Sequence, residues 1–160
     1  MNTRLNDLIE KYSHDYSKYK PFIFLSGAMT GLTHEEQVGW RDDLKDEFSY
    51  KYNLFDPTQY DPQKDDDDYQ KMAEEFDLSA IINSEYIVVN LKNIEKSVGT
   101  CQEVMFAWLL NKKILGFFPK QEDIKELHYW ISSKLTIQFH SIEALKTYLL
   151  LKYYKEKNNE

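Results

Sequence analysis

The chain has 160 residues, 42% of them hydrophobic and 29% charged, which suits one globular domain with its own core and hardly two. Acids outnumber bases 27 to 20, for a net charge of -7, and this argues against a general affinity for nucleic acid polymers, which needs basic patches to meet phosphates. A single cysteine, Cys101, excludes an internal disulfide framework and any cysteine-based zinc site.

Residues 3–18 read as a helix, with Leu5, Leu8, Ile9 and Tyr12 at helical spacing. This N-terminus is polar, and no apolar run in the chain reaches membrane-spanning length, so a soluble, cytoplasmic protein is expected. After Pro21, PFIFLSG is a continuous apolar run ending in glycine, the mark of a buried parallel strand. Thr33 and Glu36 form a capping box for a second helix that turns Val38, Trp40, Leu44 and Phe48 inward. NLFDP is a brief strand stopped by Pro57, followed by the polar loop TQYDPQKDDDD.

A helix is expected over about 69–83, with Phe76, Ile81 and Ile82 facing the sheet, and then the β-branched strand YIVVNL. Beyond the loop NIEKS comes GTCQEVMFAWLLNK, a largely apolar helix holding the single acid Glu103. KILGFF is a fourth strand, ended by Pro119. A helix over 121–134, a fifth strand LTIQF and a last helix over 141–155 complete the pattern. Strands alternating with helices predict an α/β fold: one doubly wound, flavodoxin-like or Rossmann-like sheet of five parallel strands with helices on both faces. Residues 1–160 are read as a single domain, with 1–19 as a helical extension and 156–160 as a solvated tail.

In such a sheet, ligands bind at the carboxyl ends of the strands, where the strand order reverses. The first strand delivers Ser26, Gly27, Ala28, Met29, Thr30 and Gly31 there, and the second delivers Asp56. The third ends at Asn90 and leads to Ser97, Gly99 and Glu103. SGAMTG has neither the spacing of a dinucleotide fingerprint nor that of a phosphate-binding loop, so it is a plain turn or a ligand loop of another kind.

Asp77 is either a helix-surface acid or a proton-handling carboxylate near the strand ends. Glu103 lies in the first turn and a half of its helix, where the dipole is expected to favour the ionised form and lower its pKa, as suits a nucleophile. The run Asp65–Asp68 reads as a solvated loop, the four histidines show no metal-ligand spacing, and Lys112–Lys113 reads as a helix end complementing its dipole.

IFLSGAMTG, WRDDL, LFDP, DLSAIINSEYIVVNL and SVGTCQEVMFAWLLNKKILGF, in this order over about 20–120, resemble the nucleoside 2-deoxyribosyltransferase superfamily, which includes the deoxynucleoside-monophosphate N-glycosidases. The resemblance implies Glu103 as the nucleophile at the sugar's anomeric carbon and Asp77 as the group that assists the base. It places Gly27 and its neighbours under the nucleoside and Asn90 and Ser97 near the sugar. It implies no metal or organic cofactor, a small deoxynucleoside or deoxynucleotide and a free nucleobase as partners, and a homo-oligomer in which Tyr148, Tyr153 and Tyr154 could serve the subunit contact.

Phe24 stands where the family has a tyrosine that bonds the nucleophile, so another group must orient Glu103. Ser97, six positions before Glu103, replaces an aspartate of the transferases and resembles the monophosphate N-glycosidases. Arg41 pairs with a carboxylate or a phosphate, or lies on a helix surface. The candidate substrate-binding residues are therefore Ser26, Gly27, Met29, Arg41, Asp56, Asn90, Ser97 and Gly99, with Glu103 and Asp77 as candidate catalytic residues. The leading expectation is a nucleoside 2-deoxyribosyltransferase. A monophosphate N-glycosidase and a non-catalytic nucleotide-binding module are the alternatives.

Overall fold

The computed structural model describes residues 3–16, 18–59 and 66–159. Five strands, β1 (Phe22–Gly27), β2 (Asn53–Phe55), β3 (Tyr86–Asn90), β4 (Lys113–Phe117) and β5 (Ile137–Phe139), form one sheet in the order β2-β1-β3-β4-β5. Every neighbouring pair is parallel, and β1 runs beside β3 from Ile23↔Tyr86 to Gly27↔Asn90. The order reverses between β1 and β3, so a switch point opens beyond Gly27 and Asn90. The expected α/β sheet is present.

Strand alternation divides the core in two. Ile23, Leu25, Val88, Leu115 and Phe117 pack against Trp40, Leu44 and Phe48 of α2 (His34–Phe48) and Leu145 and Leu149 of α6 (Ile142–Lys157). On the other face Phe24, Ile87, Val89 and Ile114 meet Ala80 and Ile81 of α3 (Asp67–Asn83) and Val104 and Ala107 of α4 (Val98–Leu109). Ile131 of the single-turn α5 (Tyr129–Ser132) closes that layer. The capping box of α2 is formed, with Thr33 accepting from Glu36 N and the Glu36 carboxylate accepting from Thr33 N.

Several boundaries differ from the sequence reading. The first helix, α1 (Thr3–Tyr12), stops short of residue 18 because Asn83 binds its end. Asn83 Nδ2 donates to Tyr12 O at 2.8 Å, and His14 N donates to Asn83 Oδ1 at 3.0 Å. Helix α3 starts earlier than expected because Asp66 caps it, accepting from Tyr69 N at 2.8 Å, with Asp67 and Asp68 in its first turn. Most of the acidic run is thus a helix start rather than a loop, in keeping with the dipole; Asp65 and the loop residues 60–64 lie outside the described residues.

No helix spans 121–134. A 3-10 turn at Gln121–Asp123 is followed by extended chain up to His128, whose N–H donates to Glu95 Oε1 at 2.9 Å and whose ring caps α5. Phe76 is half exposed, at 50%, and does not face the sheet. Lys112 complements a different helix end from its own: its ammonium donates to Ile82 O, in the last turn of α3, at 2.6 Å. Helix α6 continues to Lys157, where Lys155 and Lys157 suit its C-terminus, so part of the expected solvated tail is helical. No helix among the described residues is long and apolar enough to cross a membrane.

Candidate active site

Phe24 and Ser26 are two residues apart on β1 and so face the same side of the sheet, toward α3 and α4. Phe24 is completely buried in the core beneath. Ser26 is also completely buried, and its hydroxyl donates a hydrogen bond to Glu103 Oε2. The group that orients Glu103 is therefore a serine one pleat further along the strand than the phenylalanine. Ser26, expected as a substrate ligand, turns its hydroxyl to the carboxylate.

The Glu103 pKa is pushed up to about 7, above the usual 4.5. Burial of the carboxyl is the main cause and the negative charge of Asp77 adds to it, while Ser26 and Arg41 pull the other way. The expected lowering by the helix dipole is overturned. Glu103 is the sixth residue of α4, past the first turn in which free N–H groups act strongly.

A cleft of about 380 Å3 separates α3 from α4. Glu103, Gln102 and Gly99 enter it from α4, and Asp77, Glu74 and Gln70 from α3, over an apolar floor that includes Ile81 and Phe106. Asp77 and Glu103 thus share one cavity. Gln70, Glu74, Gln102 and Phe106 were not singled out in the sequence. The signal was their helical spacing: 70, 74 and 77 share one helix face, as do 99, 103 and 106.

The other candidates are placed differently. Arg41 and Asp56 are both buried, at 0% and 5% exposure, and neither lines the cleft. Arg41 Nε lies 3.6 Å from Asp56 Oδ1, while Lys45 Nζ donates to Asp56 Oδ2 at 2.7 Å and Thr58 donates twice to Asp56 Oδ1. Burial alone would raise the Asp56 pKa, but the Lys45 and Thr58 hydrogen bonds hold it below its usual value. Burial lowers Arg41 to about 10. Both residues, expected as substrate ligands, are here partners of one another.

Gly27 is packed so closely that a Cβ there would lie 3.1 Å from Asn90 Cβ and 3.2 Å from Trp40. Met29 is 39% exposed, on a loop held by Gln37 Nε2, which donates to Met29 O at 2.9 Å and Leu32 O at 3.0 Å. Asn90 is buried, and its Oδ1 accepts from Lys92 N at 3.0 Å. It lies beside a separate recess with Trp40 and Lys92. Ser97 caps α4, accepting from Thr100 N at 3.4 Å, and borders a larger apolar groove with Val98, Met105 and Trp130. Gly99 is the candidate ligand residue on the cleft itself. Among the described residues, no three His, Cys, Asp or Glu side chains converge to hold a metal ion.

No family model matches the chain, and no curated protein matches it in sequence. Its structure is similar to that of a 2-deoxyribosyltransferase from the psychrotolerant bacterium Bacillus psychrosaccharolyticus, with a TM-score of 0.65 and 14% identity over 78% of this chain and 89% of that one. It is also similar to a conserved protein from Enterococcus faecalis V583, with a TM-score of 0.61 and 11% identity over 87% of this chain and 99% of that one. The fold of this chain is therefore one that a 2-deoxyribosyltransferase also adopts.

Proposed function

We propose that the protein is a nucleoside 2-deoxyribosyltransferase in which Glu103 is the nucleophile. The observation that carries this reading is the Glu103 carboxyl itself: held by Ser26 at the switch point, desolvated, and sharing a cleft with Asp77. Glu103 attacks the anomeric carbon as the C–N bond breaks, and the departing base takes its proton from Asp77 or from water. A deoxyribosyl ester then stands on Glu103 until an acceptor base attacks the same carbon and releases the carboxylate. Two displacements at one carbon retain its configuration. Gln70, Gln102 and Phe106 line the same cleft, and two amides beside an apolar ring are a lining that supports a base as the bound group.

A second reading is hydrolysis of deoxynucleoside 5'-monophosphates. Its supporting observation is that Gly99, in the first turn of α4, borders the cleft, where the free N–H groups of a helix start favour an anion. Chromatography of deoxynucleosides and their 5'-monophosphates, incubated with and without a free base, separates the two. A new nucleoside formed only with the acceptor supports transfer, and free base released chiefly from monophosphates supports hydrolysis. Neither product with any substrate contradicts both. We also propose self-association, supported by the apolar surface that α4 and α5 leave exposed at Val98, Trp108, Leu109 and Trp130.

A further inference from the structure

β2 ends too soon to accompany β1. Their pairing runs from Phe22↔Asn53 to Phe24↔Phe55, while β1 continues to Gly27. Asn53 N donates to Pro21 O at 2.9 Å, and a parallel ladder repeats every second residue. Its continuation would bring the N–H of residue 57 to Leu25 O. Residue 57 is a proline and has no N–H to give. The carbonyls of Leu25 and Gly27 are thus left facing the β2 side with no strand to serve them, in a place too buried for an unpaired acceptor.

Arg41 fills this gap. Its Nε is 3.4 Å from Leu25 O and its Nη2 is 3.3 Å from Gly27 O, so one guanidinium spans the two carbonyls on either side of Ser26. A third donor, Nη1, bonds Gln37 O within α2, and Asp56, the residue after β2, supplies the counter-charge. We propose that Arg41 is a positioning residue for Glu103: it replaces the missing rungs of the β2 ladder and so fixes the strand end from which Ser26 holds the carboxylate. This rests on reading Glu103 as the reacting group. Among the described residues, the charged groups around Glu103 are Arg41 from α2 and Asp77 and Glu74 from α3, with β1 contributing the Ser26 hydroxyl. Arg41 is thus also the positive charge that opposes the cleft's acids, from a buried position outside the cleft lining.

The test is a carbon-13 NMR titration of the Glu103 carboxyl, with amide exchange at Ser26 and Gly27, in the wild type, Arg41→Gln and Arg41→Lys. Asp56 keeps Lys45 and Thr58 in both variants, so no buried charge is left alone. The expected result for Arg41→Gln is a midpoint raised by roughly half a unit, as for loss of a positive neighbour beyond direct contact. Arg41→Lys should keep the wild-type midpoint. Exchange at Ser26 and Gly27 should quicken roughly fivefold in both variants, the weight of one net hydrogen bond, with Ile23 unchanged.

A wild-type midpoint and wild-type exchange in folded Arg41→Gln would overturn the proposal. Where Arg41→Gln does not fold, unchanged exchange in Arg41→Lys does the same. Both readings are independent of turnover: a protein without transferase activity would refute the proposed function and leave this role of Arg41 still tested.

Discussion

A carboxyl with a pKa near 7 changes charge within the working range of an enzyme, and at Glu103 the sign of that change can be checked twice. A nucleophile must be ionised, so kcat/KM for base exchange should rise with pH through about 7 and then level; a fall over that interval would make Glu103 an acid instead. The stability effect has the opposite sense. Unfolded Glu103 ionises near its usual 4.5 while the folded form keeps its proton to about 7, so the fold loses stability across that window as pH rises. Glu103→Gln should therefore gain on the wild type between pH 5 and pH 8, by on the order of 2 kcal/mol in urea unfolding. An equal difference at the two pH values would contradict the burial of the charge. Ser26→Ala should raise the Glu103 midpoint further and lower kcat by about tenfold with KM little changed, since the lost bond is to the enzyme's own carboxylate. Glu103 was legible as an acid in an apolar helix just past a strand end. Its partner Ser26 was not, because a contact across 77 positions leaves no mark in spacing, and its pKa direction was misread because the dipole was weighed without the burial.

Among the elements, those read correctly carry their own local signals: the β-branched run of β3, the Thr33–Glu36 capping box, and Pro57 closing β2. Those misread were set by distant partners. Asn83 ends α1, and Glu95 binds the His128 N–H at the start of α5, where a helix pattern was expected over 121–134. Thr33→Ala should cost about 1 kcal/mol through the lost cap of α2, with thermal unfolding as the check. Gly27→Ala probes the strand end more sharply. The added methyl meets Asn90 and Trp40, both buried, so a loss of about 1–3 kcal/mol is expected, and an unchanged melting temperature would mean that the strand end yields freely.

For the whole molecule, the alternation of strands and helices was sufficient to foresee the parallel sheet and the edge on which the polar residues gather, because a strand's carboxyl end is fixed by the direction of the chain. It did not show which of those residues open onto one cleft. Arg41 and Asp56 gather at the right edge and then bury each other, while Gln70 and Gln102 reach the cleft from helix faces rather than from the strand ends themselves. Two of the tyrosines expected at a subunit contact, Tyr148 and Tyr153, are partly buried against the core within the chain. If α4 and α5 meet a second copy, sedimentation should give a species larger than the 19.2 kDa chain, and Leu109→Glu should shift it toward the monomer. A monomer at every concentration would leave that face without a partner of its own kind. The central claim is the covalent step at Glu103. It is tested most directly by mass spectrometry of acid-quenched, protease-digested protein after brief exposure to a deoxynucleoside without acceptor base. The account expects the mass of one deoxyribosyl group on the peptide bearing Glu103, absent when acceptor base is added in excess. An unmodified Glu103 peptide in a protein that still exchanges bases would contradict it.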